Sequence, residues 1–263
     1  MRIGVPSHPG FAATGGRPWS RAAETIVFVH GAGMDHTVWS LPARHFAHAG
    51  RAVLAPDLPG HGRSGGAALG DIGAMADWLI ACLDGLEVAR AALVGHSMGA
   101  LLALEAASRR PERIARLALF GAAPRMPVHP SLLGAARDDP ARAHAMIAGW
   151  GHGRRGRIGG HPGPGLWARG GTVTLLARAG TGVLAGDLAA CNGYDGAAAA
   201  ARVRCPTLVV IGAEDRMTPP REGRALAKGI ADARLVEVPR AGHMMVVEDS
   251  DVTLDALRGF MLA

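Results

Sequence analysis

The sequence predicts an α/β domain with a mostly parallel central sheet, and three observations carry that expectation. From residue 25 onward, short apolar or β-branched runs alternate with longer helical patterns, as crossover helices between parallel strands require. The residues with the strongest chemical signature all sit just after the ends of candidate strands. The alternation then breaks once, between residues 124 and 202, and resumes.

Residues 1–24 are rich in Gly and Pro, carry a Gly15-Gly16 turn signal and hold at most a weak hairpin at the sheet edge. Strands are expected at 25–30, 52–55, 91–94, 114–120, 207–211 and 235–238, and helices at 72–86, 98–109, 221–230 and 253–261. Within 124–202, glycine, arginine and proline crowd 149–171, and only partial helices at 140–150 and 172–190 can be read. A stretch of that length between two strands is expected to be a functional insertion rather than a bare loop. The organisation is therefore a core formed by 1–123 and 203–263, with 124–202 as a cap or lid, and 149–171 as its most mobile or exposed part.

At 263 residues and 49% hydrophobic content the chain can bury a substantial core, which excludes a disordered protein. No apolar run is long enough to span a bilayer or to serve as a secretory leader, so a cytoplasmic protein with no membrane partner is expected. The net charge of +6 invites a nucleic-acid reading, but the basic residues are scattered and aromatics make up only 4%. Only Arg154, Arg155 and Arg157 cluster, and these are expected to be solvated rather than to clamp acidic substrates. Cys82, Cys191 and Cys205 form no metal or redox motif and suggest a reducing compartment. His144, His152 and His161 lack acidic partners at ligand spacing and are expected at the surface, so no metal site is assigned.

Gly95-His96-Ser97-Met98-Gly99 fits the pattern GxSxG. In a chain with 38 glycines the pattern alone is weak, so context decides. It lies directly between a candidate strand and a candidate helix, the strand-turn-helix arrangement that exposes a serine hydroxyl. A serine needs a base to take its proton and an acid to orient that base. Gly212-Ala213-Glu214-Asp215 follows one strand and Gly242-His243 follows the next, giving the order Ser97, Asp215, His243. Glu214 is the rival acid; Asp215 is preferred for its shorter side chain and for Thr218-Pro219-Pro220 opening the next helix.

Attack by Ser97 creates an oxyanion that needs two amide donors, for which Ala32 and Met98 are the candidates. His30, Gly31, Met126, Trp150, Trp167 and Met244 are the candidate substrate-contacting residues. Two GxGxxG strings, at 60–65 and 151–156, lack the strand-to-helix context of a dinucleotide site, and no cofactor is expected.

Together, His30-Gly31-Ala32-Gly33, Asp57-Leu58-Pro59-Gly60-His61-Gly62-Arg63-Ser64, the Ser97 motif, Gly212 to Asp215 and Gly242-His243 resemble the α/β-hydrolase fold family across residues 25–262. The resemblance implies a Ser-acid-His triad, an oxyanion hole from Ala32 and Met98, and a variable cap. Within the family the chain is similar to small serine esterases and lactonases. Ser97 stands where haloalkane dehalogenases and epoxide hydrolases carry Asp, while Met34-Asp35 departs from the loop usual in carbon–carbon hydrolases. The stretch 219–227 is similar to enol-lactone hydrolases, and the same triad occurs in cofactor-free haloperoxidases. The expected activity is hydrolysis of a small-molecule carboxylic ester through an acyl-enzyme, by a monomer or homodimer. The alternatives are an enol-lactone-type lactonase, a carbon–carbon hydrolase of aromatic degradation, or a non-catalytic binding protein of the same fold.

Overall fold

The computed structural model describes every residue except 6, 7, 22, 157–159, 162, 164, 165 and 263. In chain order the strands are β1 Arg2–Ile3, β2 Gly10–Ala13, β3 Thr25–Val29, β4 Ala52–Asp57, β5 Ala91–His96, β6 Ile114–Phe120, β7 Thr207–Gly212 and β8 Ala233–Val238. They form one eight-stranded sheet in the order β1-β2-β4-β3-β5-β6-β7-β8. Among the described residues only β1–β2 and β2–β4 pair antiparallel, so the first two strands form an edge hairpin, but Gly15-Gly16 follows β2 and is not its turn.

Alternation along each strand divides the core between the two sheet faces. On one face Val27, Val29, Leu93, Leu117 and Leu119 pack with α2 (Ile72–Gly85) and α3 (Met98–Arg109). On the other, Ile26, Phe28, Val94, Phe120 and Val210 meet Trp39, with Phe46 of α1 (Ser40–His48). β5 and β7 are buried throughout, which is why they read as unbroken apolar runs. β8 is the far edge; its Arg234 and Glu237 suit a strand with one unpaired side.

Residues 124–202 contain α4 Pro130–Asp138, α5 Pro140–Trp150, α6 Ala168–Leu176, α7 Val183–Gly193 and α8 Ala197–Arg202. Their two ends are pinned together. Arg125 bridges and ion-pairs with Asp195, and the Gly196 amide donates to the Pro124 carbonyl at 2.7 Å. The single helix expected over 172–190 is two helices, α6 and α7, parted by a turn in which Gly182 has φ 77°. The chain closes with α9 Pro220–Gly229, α10 Met245–Glu248 and α11 Ser250–Met261.

His152 corrects an expectation. It is buried at 4% exposure, its Nδ1 donating to the Ala148 carbonyl at 3.0 Å while Nε2 lies 3.3 Å from Thr172 Oγ1. Burial therefore pushes its pKa down to about 4. The expectation that 149–171 is the most exposed stretch holds only for part of its described residues. Leu166 and Trp167 are 50% and 61% exposed, but Gly151, His152 and Gly153 are buried against the 240–244 loop.

Candidate active site

Ser97 stands between β5 and α3 with φ 55° and ψ −120°, a region that costs a residue bearing a side chain about 1–3 kcal/mol. The turn is that sharp because nothing fills it: a Cβ on Gly99 would lie 2.3 Å from the Val29 carbonyl oxygen. The Ser97 amide donates to the Phe120 carbonyl at 2.9 Å, fixing the turn to the neighbouring strand end. A Cβ on Gly31 would lie 3.3 Å from Ser97 Cβ, so the 30–33 loop runs alongside the serine. Among the described residues, the amides of Ala32 and Met98 donate to no protein acceptor.

Asp215 follows β7 and is buried. Its Oδ1 accepts the amides of Met217 and Thr218, each at 2.8 Å, and its Oδ2 lies 2.8 Å from His243 Nδ1. This arrangement makes Nδ1 the donor and leaves Nε2 as the basic nitrogen. That Nε2 is buried and, among the described residues, has no hydrogen-bond partner. Glu214 is turned elsewhere, accepting the Arg154 amide at 2.9 Å and its Nε at 2.6 Å.

Two supporting residues escaped the sequence reading. His96 Nε2 donates to the His243 carbonyl at 2.9 Å, with ring centres 5.0 Å apart. Burial and the nearby imidazole push its pKa down to about 3, so it stays neutral. Glu248, wholly buried, accepts the amides of Gly242, Gly153 and Gly156 at 2.9, 2.8 and 3.2 Å. Burial, reinforced by the charge of Asp215, lifts its pKa to about 7 against the pull of those amides. Position next to Ser97 was the only sequence signal for His96; Glu248 had none.

His30 is fully buried, and both ring nitrogens are taken: Nδ1 donates to the Gly31 carbonyl at 2.9 Å and Nε2 accepts the Leu58 amide at 3.1 Å. Its side chain therefore braces the 30–33 loop. Burial, then the charge of His61, pushes its pKa down to about 4. Met126 and Trp150 line a cavity of about 750 Å³ that reaches Met217 and Thr218. Trp167 and Met244 line a separate cavity of about 490 Å³. Ser97 lines neither cavity.

Arg154 pairs with Glu214 and Arg155 with Asp249, while Arg157 lies outside the described residues. Asp35, His36 and Asp57 bring possible ligand atoms within 4.8 Å of one another. Their ligand atoms are already engaged: Asp57 Oδ1 accepts from the His36 amide and ring, and Asp35 pairs with Arg178.

Known proteins resemble the chain in sequence and in fold. The chain is 31% identical over 234 residues to the pimeloyl-[acyl-carrier protein] methyl ester esterase of Chromobacterium violaceum, covering 83% of this chain and 86% of that one. A 99-residue stretch is 42% identical to the dihydrolipoyllysine-residue acetyltransferase component of an acetoin cleaving system from Pseudomonas putida, of whose length it spans only 26%. The enol-lactonase of Burkholderia xenovorans LB400 superposes with a TM-score of 0.87 at 25% identity over 100% of both chains. The model of the alpha/beta hydrolase family matches residues 26–256, and the chain belongs to that family.

Proposed function

We propose that the protein is a serine hydrolase of small carboxylic esters, with Ser97 as nucleophile, His243 as base and Asp215 as its orienting acid. The observation that carries this reading is the Asp215–His243 hydrogen bond at 2.8 Å, which leaves a buried, unpartnered Nε2 at the same sheet end as the strained Ser97 turn. Nε2 takes the hydroxyl proton as Oγ bonds to the acyl carbon. The oxyanion is met by the amides of Ala32 and Met98, and collapse expels the alcohol, which takes the proton from His243. Water, deprotonated by the same nitrogen, then releases the acid. Residues 124–202 act as the cap over this chemistry, and Met126 and Trp150 form part of the substrate wall.

A lactone would follow the same steps with the alcohol tethered to the acyl group. The full-length likeness to an enol-lactonase favours testing it. The experiment is a stopped-flow burst with a p-nitrophenyl ester, followed by rates on a matched lactone. We expect a burst stoichiometric with enzyme that Ser97→Ala abolishes; ester turnover that survives Ser97→Ala overturns the assignment.

A further inference from the structure

We propose that the 750 Å³ cavity receives an apolar acyl arm ending in a carboxylate, and that Arg216 recognises that end; this rests on the ester-hydrolase reading above. The cavity is lined by Arg216, Met217 and Thr218, the three residues that directly follow Asp215. Its walls include Met217 and Thr218, whose amides are held by the same carboxylate that bonds His243. A Cβ on Gly151 would touch both Met217 Sδ at 3.4 Å and Met244 Cγ at 3.5 Å, so this wall meets the residue after His243.

The inner lining is largely apolar, with Met126, Val128, Leu132, Trp150 and Met217. Thr218 adds a polar group there, since its hydroxyl is buried and, among the described residues, without a partner. Three arginines stand in the lining, and two are engaged: Arg125 with Asp195 and Arg221 with Glu222. Arg216 is exposed and, among the described residues, has no partner. A free guanidinium beside an apolar cavity offers paired donors matched to a carboxylate. Because it is exposed, the gain is modest and sensitive to salt.

The test compares kcat/KM for methyl hexanoate and monomethyl adipate in wild type, Arg216→Gln and Arg216→Glu. Arg216→Gln is expected to lower the adipate-to-hexanoate ratio about 3- to 10-fold, with the neutral ester unchanged and Arg216→Glu lowering it further. If both esters are hydrolysed through Ser97 and the ratio does not move, the carboxylate site is overturned while the hydrolase reading stands. If wild type hydrolyses neither ester, the hydrolase reading fails and takes the site with it.

A second, independent set of contacts assigns a positioning role to Asp187, and we infer that it holds the oxyanion loop. Asp187 lies on α7, wholly buried, with Oδ2 2.8 Å from the Gly33 amide and 2.8 Å from His61 Nε2. His61 Nδ1 is 2.9 Å from the Pro59 carbonyl, so both ring nitrogens face acceptors and both carry protons. The carboxylate thus joins the inserted segment, the loop after β4 and the Ala32–Gly33 peptide, whose plane lies next to the Ala32 amide. A Cβ on Gly33 would lie 2.9 Å from Leu184 Cδ1, which shows how closely α7 sits on that loop.

Asp187→Asn keeps an acceptor for Gly33 but removes the charge facing His61. The expected result is a fall in kcat of about 10- to 100-fold with KM nearly unchanged, since a displaced oxyanion donor acts mainly in the transition state. His61→Gln should show the same split. A folded Asp187→Asn with wild-type kcat, or with a loss confined to KM, overturns the role. Should that variant fail to fold, His61→Gln decides by the same split.

Discussion

Glu248 holds the Gly242 amide at 2.9 Å, one residue before His243, and with its other oxygen holds the Gly153 and Gly156 amides. One buried carboxylate thus ties the loop of the proposed base to the backbone at Gly153 and Gly156. Glu248→Gln retains one carbonyl oxygen, but its NH2 faces amide donors and cannot accept from them. We expect a stability loss of about 1–3 kcal/mol in denaturant unfolding, with a lower kcat. Unchanged stability would show that the three amides find other acceptors.

The proposed base and nucleophile act as a unit. Ser97→Ala and His243→Ala should each reduce turnover by about 10⁴-fold or more, and the double variant should lose little further. Multiplicative losses would remove one of them from the mechanism.

The contrast between Glu214 and Asp215 sharpens the assignment of the acid. Asp215→Asn removes the acceptor that orients His243 Nδ1, and a loss of up to ~10⁴-fold in kcat is expected. Glu214→Gln leaves the Asp215–His243 bond in place and weakens the exposed link to Arg154, and should cost activity less than about 10-fold. A reversed ranking in steady-state kinetics would move the role to Glu214.

The doubly proton-donating His61 predicts a pH signature in stability. Although burial opposes it, Asp187 raises the His61 pKa above its ordinary 6.5, so the folded state binds the proton more tightly than the unfolded chain does. Stability from this pair is fully present below 6.5 and is lost as pH rises through the raised folded value. The Tm difference between wild type and His61→Gln should therefore be widest in the acid range and narrow as pH rises. A difference that grows with pH would contradict the protonated assignment.

What the sequence made legible follows from how local each signal is. β5 and β7 are buried along their whole length and announce themselves as apolar runs, and the Ser97 turn carries its glycines within two residues on either side. α1 was missed because Pro42 falls inside it and its apolar positions, Ala43, Phe46 and Ala47, are few. α8 is almost all alanine and has no amphipathic period to read. Asp187 was invisible for a different reason: the amide it holds lies 154 residues away, and that of Gly153 lies 95 residues from Glu248. Buried charges paired through tertiary contact leave no local pattern.

The two tryptophans proposed for substrate contact are placed differently, and that difference is testable. Trp150 is partly buried, meets His129 edge-on at 5.7 Å and faces the larger cavity, which its loss would enlarge and reshape. Trp167 is 61% exposed in the lining of the other cavity, so truncating it removes little buried contact. We expect Trp150→Ala to change the relative kcat/KM of short and bulky acyl esters by about 10-fold, the scale of one or two methylenes in an apolar pocket. Trp167→Ala should leave that ratio within about 3-fold and the Tm nearly unchanged. If Trp167→Ala shifts the ratio and Trp150→Ala does not, acyl selection belongs to the cavity beside Met244 instead.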